Sequence, residues 1–372
     1  MLETEDGEGP ERLPAPAGPD ELAGRCDLTL SRPAVEADNF AAFERWLARA
    51  AARRGLRCAL LHGGVVDEAV RRLDDGRLSV GYHLDYFADW HRDDVFARLA
   101  RAVEDAGGRS VNGPGRARLF TDKAAAHAEL RRRGLGTPPA VVFRPGSPER
   151  PLTDAERRRL RLDEPDAAVY VKPANGCGGR NVHRCDRTDG DALLGALRSA
   201  RGHDPSDAYL VQREVRPPEL LCDDGARRPA YWRVVWCLGD VSPFWWWPLD
   251  RVPSGGLCYR PLSTAEVLRH GLRSLFTFVA DLADLSGLDW FSTEVCLGDG
   301  ADAGRHVVVG PDGRARPLLA VDYLNDQCDV DVQSRWPGGV PEAFVRRWAE
   351  RFAVEAARLR DGAGHAAAAR AA

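Results

Sequence analysis

The sequence predicts a mixed α/β and α+β protein, with an N-terminal parallel α/β domain followed by two further lobes. Residues 26–118 carry strand-like apolar runs at 57–63 and 78–84. These runs alternate with segments at 40–55 and 93–108 in which apolar residues recur at helical spacing and which end at glycine. Alternation of this kind is typical of a small parallel sheet covered by helices.

Two more blocks follow a turn-rich boundary near residue 118. The first, 119–207, begins with a short helix that runs to Gly134, for which Thr121 is the predicted cap. The second, 208–360, is richer in strand-like runs, and its two helices are predicted at about 264–286 and 341–360. The predicted domains are therefore 26–118, 119–207 and 208–360.

Both ends of the chain are predicted to lie outside these domains. Residues 1–25 are acidic and rich in proline and glycine, which predicts a disordered tail. Residues 361–372 are rich in alanine and are predicted to fray. No apolar run approaches the length that spans a bilayer, so we expect neither a membrane anchor nor a signal peptide.

Composition narrows the classes of partner and compartment. The formal net charge of −4 offers no field that would recruit nucleic acid or an acidic membrane surface. The nine cysteines are scattered and form no C-x-x-C pair, so a zinc site or a disulfide framework is not indicated. We expect free thiols in a reducing, cytoplasmic environment.

The glycine-rich stretch VYVKPANGCGGRNV, residues 169–182, fits neither common phosphate-binding fingerprint. A Walker loop needs G-x-x-x-x-G-K-[ST], and a dinucleotide fingerprint needs a third glycine where Asn181 stands. The residues after it resemble a strand, which predicts a hairpin. Gly176, Gly178 and Gly179 could bring backbone N–H groups close to a phosphate, or they could form a plain turn.

The chain contains only two lysines; Lys172 lies within this stretch and Lys123 precedes it. Lys172 ends an apolar strand, and Lys123 lies in the first turn of a helix. Each is either a solvated charge or a phosphate contact. Gln212 and Glu214 share one face of a later strand, where they either face solvent or bind the edge and ribose of a nucleotide.

Charged residues also interrupt three apolar strands further on. Arg233 lies in YWRVVW, as an edge residue or as a clamp for phosphoryl charge. Glu294 and Asp322 need a cation or hydrogen-bond donors, because burying a lone carboxylate is costly. With the amide of Asn325 they form an oxygen-only set suited to Mg²⁺, and ion pairing with arginines is the alternative.

In this order the segments resemble the ATP-grasp superfamily, of the carboxylate–amine ligase kind with a glutathione synthetase or RimK-type ATP-binding fold. The resemblance covers about residues 119–350 and rests on TDKAAAHAELRRRGLGTPP, VYVKPANGCGGRNV, YLVQREV, YWRVVW, STEVCL and AVDYLND. It implies a two-lobed ATP-grasp fold after the N-terminal domain, with ATP and Mg²⁺ as cofactors and the nucleotide between the lobes.

The resemblance also implies roles for individual residues. The phosphate-contacting lysines would be Lys123 and Lys172. The flexible loop over the phosphates would contain Gly176, Gly178 and Gly179. The adenine-facing strand would contain Gln212, Glu214 and Val215. The γ-phosphate arginine would be Arg233, which with Lys172 is the catalytic pair. The Mg²⁺ ligands would be Glu294, Asp322 and Asn325.

The sequence departs from the family pattern at the last metal motif. The family usually has an acid, one spacer residue and then asparagine, but two residues separate Asp322 from Asn325. Asp326 is therefore a rival for the position of Asn325. The proline–glycine that usually follows is also missing.

The implied activity is an ATP-dependent ligase that activates a carboxylate as an acylphosphate, which an amine then attacks. Its partners would be a small carboxylate and an amine, such as an amino acid or peptide, with neither nucleic acid nor membrane; a homodimer is compatible with the sequence. A small-molecule kinase on the same fold and a nucleotide-binding protein without turnover are the alternatives.

Three further features could bear on the substrate. Residues 242–261 combine aromatic side chains with Arg251 and Arg260, as a carboxylate-recognition loop or as a packed tryptophan cluster. Arg335 is another candidate substrate contact. His83, Asp85 and His91 could form a transition-metal site, although surface polar residues are the favoured interpretation.

Overall fold

A computed structural model describes residues 18, 22–32, 40–176, 179–186, 190–246, 258–299, 302–310 and 312–371. The chain forms two compact units. Unit 1 comprises Met1–Pro114, Pro253–Leu257 and Asp329–Ala372, and unit 2 comprises Gly115–Val252 and Cys258–Cys328.

The elements are numbered in chain order. The helices are α1 (Ala41–Ala52), α2 (Val66–Asp74), α3 (Val95–Asp105), α4 (Pro114–Thr121), α5 (Lys123–Arg132), α6 (Asp154–Arg159), α7 (Gly190–His203), α8 (Thr264–Arg269), α9 (Arg273–Ser286) and α10 (Glu342–Ala371). The strands are β1 (Gly24–Arg32), β2 (Cys58–His62), β3 (Leu78–Leu84), β4 (Arg109–Ser110), β5 (Ala140–Phe143), β6 (Ala168–Pro173), β7 (His183–Asp186), β8 (Tyr209–Arg213), β9 (Glu219–Leu221), β10 (Arg227–Pro229), β11 (Tyr231–Cys237), β12 (Asp240–Trp246), β13 (Tyr259–Pro261), β14 (Trp290–Leu297), β15 (Val307–Val309) and β16 (Ala315–Asn325).

Unit 1 is built on a parallel sheet of order β2-β1-β3-β4, which confirms the parallel α/β pattern predicted for the start of the chain. The C-terminal helix α10 packs against α1, β1 and β3 of this unit. Phe352 of α10 meets Phe43 of α1 edge to face, with ring centroids 6.2 Å apart, and both side chains are buried. The predicted domain boundaries remain a prediction, but by its contacts α10 belongs with the N-terminal sheet.

Unit 2 contains two antiparallel sheets and a two-stranded ribbon of β9 and β10. The first sheet has the order β5-β8-β6-β7 and the second has the order β13-β12-β11-β14-β16-β15. One face of the second sheet carries Trp232 of β11 and Trp245 of β12, which are directly paired and fully buried. Successive residues of a strand alternate between faces, so Arg233 of β11 and Glu294 of β14 lie on the opposite face, together with the buried Trp290.

The structure corrects several details of the sequence analysis. The cap of α5 is Asp122, whose carboxylate accepts hydrogen bonds from Ala124 N and Ala125 N, whereas Thr121 belongs to α4 and donates to Ala117 O. The helix predicted at 264–286 is split into α8 and α9, because Gly271 has a φ of +63°.

The ends of the chain also differ from the prediction. Strand β1 begins at Gly24, inside the segment predicted to be a tail, and α10 continues to Ala371 through the segment predicted to fray. Helices α2, α4, α6 and α7 were not predicted, and α4 covers part of the predicted turn-rich boundary near residue 118. Within the described part of the chain, no helix is both long and apolar enough to cross a bilayer.

Packing of α10 gives a stability prediction. Replacing Phe352 by alanine removes the ring that meets Phe43, so we expect the free energy of unfolding to fall by about 3–5 kcal/mol in denaturant titration. Val354 on the same helix is 51% exposed, and its replacement by alanine is the matched control. Equal shifts for the two variants would contradict the docking of α10 on α1.

Candidate functional site

Three charged side chains lie in one row across the second sheet of unit 2. The register pairs Arg233 of β11 with Glu294 of β14, and Glu294 with Asp322 of β16. Directly opposed residues on antiparallel strands point to the same face. One cation and two carboxylates therefore share a face, an arrangement that the sequence suggested only residue by residue.

Two irregularities in β16 flank Asp322. Between the pairs Ser292–Asn325 and Glu294–Asp322, two steps along β14 match three steps along β16, which is the geometry of a bulge. The extra residue compensates for the extra spacer in this sequence. Asn325 thus lies opposite Ser292, in the same face as Glu294, and the register favours it over Asp326 for the third position of the predicted oxygen set.

The second irregularity lies just before Asp322. The register passes from Glu294–Asp322 to Val295–Ala320 and skips Val321. The carbonyl of Val321 instead accepts hydrogen bonds from Lys172 Nζ at 3.4 Å and from Gln212 Nε2 at 3.3 Å. This bulge therefore joins the β16 strand to side chains of the other sheet of unit 2.

Arg233 is held on three sides. Its Nη1 lies 3.6 Å from Glu294 Oε1, and its Nη2 donates to Ser292 Oγ at 3.3 Å. Its Cζ lies 4.9 Å from the ring centroid of Trp246 on the neighbouring strand β12, a cation–π distance. Tyr231, two residues before Arg233 on β11, donates its hydroxyl to Glu294 Oε2. Tyr231, Ser292 and Trp246 were not predicted as site residues, although their alternation on the strands could have signalled the first two.

The two lysines approach the carboxylates from the first sheet and from α5. The ammonium of Lys123 lies 3.8 Å from Asp322 Oδ1 and donates to the Gly176 carbonyl at 2.6 Å. Lys172 is the penultimate residue of β6, and its ammonium donates to Val321 O of β16. The structure thus brings the ammonium groups of Lys123 and Lys172 to Asp322 and to the adjacent carbonyl of Val321.

Burial and mutual charge set the protonation of this cluster. Burial lowers the pKa of Lys172, and the nearby Asp322 and Glu294 oppose that shift. Burial and the charge of Asp322 raise the pKa of Glu294, with Arg233 opposing. Burial also acts to raise the pKa of Asp322, but Lys123, Lys172 and Arg233 outweigh it and hold the pKa below its ordinary value. Asp322 is therefore the more readily ionised of the two carboxyls.

Gln212 of β8 and Glu214, which follows the strand, are already engaged with protein groups. Gln212 is buried, and its amide nitrogen donates to Tyr323 OH at 3.0 Å as well as to Val321 O. Its Oε1 is buried and has no hydrogen-bond partner within the described ranges. Glu214 forms a two-pronged ion pair with Arg184, at 2.7 and 2.9 Å. Arg184 follows the glycine stretch on β7, so this ion pair ties the hairpin to β8.

Val215 lies beyond the end of β8, in the lining of a small pocket. The lining includes Arg161, Arg213 and Asp299, and these three form an ion-pair network in which Arg213 is nearly buried. The network is on the opposite side of β8 from Gln212, because Gln212 and Arg213 are adjacent on the strand. We assign the ion pairs of Arg161 and Arg213 with Asp299 a structural role.

The glycine stretch is the connection of an antiparallel hairpin between β6 and β7, which confirms the predicted hairpin. Gly176 has a φ of 143° and Gly179 a φ of 69°, backbone conformations that side chains with a Cβ rarely adopt. Gly178 and Cys177 lie outside the described residues. The base of the hairpin is fixed by Asp207, whose carboxylate accepts hydrogen bonds from Asn175 N and Nδ2 at 2.9 and 2.8 Å.

Other residues that the sequence suggested as substrate contacts or metal ligands have different surroundings in the structure. Arg260 pairs with Glu266, which also accepts a hydrogen bond from Trp245 Nε1, so the role of Arg260 is structural. Arg251 lies outside the described residues. His83 and Asp85 are buried in unit 1, which corrects their assignment to the surface, and His83 Nδ1 lies 2.9 Å from Thr29 Oγ1.

Across the described ranges, no group of three or more histidine, cysteine, aspartate or glutamate side chains could hold a metal ion. The oxygen set around Asp322 therefore depends on two carboxylates and an amide. The described cysteines are free thiols, as the sequence predicts.

Comparison with known proteins gives a likeness of fold. No protein-family model and no curated protein matches the sequence. Among solved structures, D-cycloserine synthetase DcsG is 17% identical with a TM-score of 0.54, over 90% of this chain and 100% of that one. A RimK-domain ATP-grasp protein from Sphaerobacter thermophilus is 17% identical with a TM-score of 0.51, over 88% of this chain and 97% of that one. D-alanine–D-alanine ligase from Bacillus anthracis, complexed with ATP, is 10% identical with a TM-score of 0.55, over 90% of this chain and 98% of that one.

A buried histidine behind the site gives a pH prediction. His127 Nδ1 lies 2.7 Å from Tyr323 OH, and burial lowers the pKa of His127 to about 4. An unfolded histidine titrates near 6.5, so between those values the unfolded chain binds a proton that the folded chain does not. We expect the free energy of unfolding to fall by about 3 kcal/mol as the pH drops from 6.5 to 4 because of this group.

The variant His127→Gln isolates that contribution. Its unfolding free energy, measured by urea titration at several pH values, should lack the additional decrease that the native protein shows. Parallel pH profiles for the two proteins would contradict the buried neutral state of His127.

Proposed function

We propose that this protein, which has the ATP-grasp fold, is an ATP- and Mg²⁺-dependent ligase that joins a carboxylate to an amine through an acylphosphate. The observation that carries the proposal is the row formed by Arg233, Glu294 and Asp322, with Lys123 and Lys172 directed at the same point. Phosphoryl transfer requires positioned positive charge and metal ligands more than it requires a protein nucleophile. This row supplies both.

The two lysines and the glycine hairpin are proposed to bind the phosphates. Lys123 and Lys172 approach Asp322 and the adjacent carbonyl of Val321 from a separate sheet and helix, so both ammonium groups converge on one region. Gly176 and Gly179, with Gly178, would bring backbone N–H groups close to phosphate oxygens without the obstruction of a Cβ.

The donor set fits Mg²⁺. Glu294 and Asp322 are opposed across the register and Asn325 lies in the same face, and carboxylate and amide oxygens are the ligands that this ion prefers. The raised pKa of Glu294 is in part the cost of a second negative charge beside Asp322, a cost that a shared divalent cation would remove. When bound, the ion would neutralise phosphate charge and orient the transferring group.

In the first step, a substrate carboxylate oxygen forms a bond to the γ-phosphorus, and the bond to the bridging oxygen breaks to release ADP. Arg233 would stabilise the charge on the transferring group, and Glu294, Ser292 and Trp246 fix the orientation of its guanidinium. The amine nitrogen then attacks the acyl carbon, phosphate leaves and the nitrogen loses a proton. Excluding water is necessary because water would otherwise hydrolyse the acylphosphate.

The adenine end is proposed to lie at Gln212 of β8 and at Glu214 and Val215, which follow the strand. The buried Oε1 of Gln212, which lacks a partner in the described part of the chain, supports this proposal because it can accept a hydrogen bond from an amino group. The ATP in the Bacillus anthracis ligase and the name of that enzyme support ATP and amino-acid-like substrates for this protein.

Removing single charges should abolish turnover. For Lys172→Met and for Asp322→Asn we expect acceptor-dependent ADP release to fall by at least about 100-fold, since each change removes a group that offsets phosphoryl charge or holds the metal. Asp312→Asn, in an exposed ion pair with Arg316 near the start of β16, is the control and should keep native activity. Full activity of Asp322→Asn would show that the metal assignment is wrong.

The activity itself is tested by incubating the purified protein with ATP, Mg²⁺ and pools of amino acids and small peptides, then analysing the products by mass spectrometry. A new amide formed together with ADP and phosphate supports the ligase. A stable phosphorylated acceptor would identify a kinase instead, and ATP-dependent thermal stabilisation without ADP would identify a nucleotide-binding protein.

A further inference from the structure

The three residues that follow β6 are held by two neighbouring elements. Ala174 N donates to Ala208 O just before β8 at 2.7 Å, and Lys123 N, at the start of α5, donates to Ala174 O at 2.9 Å. The ammonium of Lys123 donates to Gly176 O at 2.6 Å. Residues 174–176 therefore have a fixed backbone although they belong to neither strand nor helix.

Asp207 supplies the third support of this segment. Its Oδ2 accepts from Asn175 N at 2.9 Å, and its Oδ1 accepts from Asn175 Nδ2 and from Ala208 N, both at 2.8 Å. The residue is 5% exposed, and no cation of the described chain forms an ion pair with it. A buried carboxylate is thus maintained by N–H donors alone, most of them from Asn175.

Two of the three hydrogen bonds that Asp207 accepts come from outside its own turn, both from Asn175. A carboxylate with a purely local role would accept hydrogen bonds from its own neighbours, as Asp204 does from Ser206 N and Oγ at 3.0 and 2.6 Å. Asp207 instead fixes Asn175, and the next residue, Gly176, offers the carbonyl that orients the ammonium of Lys123. That ammonium lies 3.8 Å from Asp322.

We propose that Asp207 is a positioning residue of the nucleotide site, because by holding Asn175 it fixes the Gly176 carbonyl and, through it, the ammonium of Lys123. The inference rests on the proposed function, since its consequence is measured as affinity for ATP. It adds to that function a residue that touches neither the phosphates nor the metal ligands.

The charge of Asp207 makes the proposal testable by pH as well as by substitution. Burial raises the pKa of Asp207 to about 6; the carboxylates of Asp122 and Asp204 add to the rise, and the N–H groups of Asn175 and Ala208 oppose it. Tyr209 is the other titratable neighbour. As the pH falls through about 6, the carboxyl gains a proton and loses part of its capacity to accept these hydrogen bonds.

The first experiment uses the rate of trypsin cleavage, in the absence of nucleotide, to measure how firmly residues 174–176 are held. Asp207→Asn keeps the shape of the side chain but leaves a single acceptor oxygen for three N–H donors. We expect trypsin to cleave after the exposed Arg180, in the same hairpin, at least about tenfold faster than in the native protein. Asn175→Ala, which removes only the side-chain donor, should give a smaller increase, and Asp204→Asn, in the same turn, should cleave at the native rate.

The second experiment measures ATP–Mg²⁺ binding by calorimetry. We expect Asp207→Asn to bind about tenfold more weakly, and Asp204→Asn to bind like the native protein. The native affinity should weaken relative to that of Asp207→Asn as the pH falls through about 6, because only the native protein has this carboxyl to protonate. The ratio of the two proteins' dissociation constants for ATP–Mg²⁺ cancels the effect of the titration of ATP itself.

The outcomes separate the inference from the proposed function. Unchanged cleavage in Asp207→Asn, or faster cleavage with unchanged ATP affinity at every pH, would overturn the role of Asp207 while leaving an ATP-binding protein. A native protein that binds no ATP would overturn the proposed function and with it the role of Asp207 at a nucleotide site. Circular dichroism and the melting temperature show whether each variant folds.

Discussion

The candidate site depends on the irregular pairing of β16 with β14 around Asp322. In a regular ladder, side chains separated by three positions lie on opposite faces, so Asp322 and Asn325 could not serve one ligand. One bulge returns Asn325 to the face of Glu294, and the other leaves the Val321 carbonyl to Lys172 and Gln212. Local geometry of one strand thus determines both the oxygen set and its connection to the other sheet.

Electrostatic balance follows from that geometry. Two partly buried carboxylates beside each other would be costly, and the structure offsets their charge with Arg233 from the same sheet and with two lysines from other elements. The cluster remains asymmetric, because Asp322 receives most of the cationic influence while the pKa of Glu294 is raised. Such a cluster is suited to accepting a further cation together with an anionic ligand.

Much of the fold was predictable because it depends on short-range periodicity. The parallel sheet of unit 1, the hairpin between β6 and β7 and the alternation of Arg233 with the buried Trp232 and Val234 were all predicted correctly, and the predicted ATP-grasp fold is confirmed. Errors arose where neighbouring residues offered equal local signals. Thr121 and Asp122 are both good caps, and only the positions of the N–H groups of α5 decide between them.

The sequence by itself determined which residue types were available: two lysines, a glycine-rich turn, and charged residues within apolar strands, where an unpaired charge is too costly to be incidental. It also determined their order along the chain, from which the resemblance follows. The tertiary structure alone decided the strand register, the bulges that place Asn325, the contacts of Tyr231, Trp246 and Asp207, and the packing of α10 on the N-terminal sheet. These features are pairings between segments distant in sequence, and their energies depend on which atoms meet rather than on local composition.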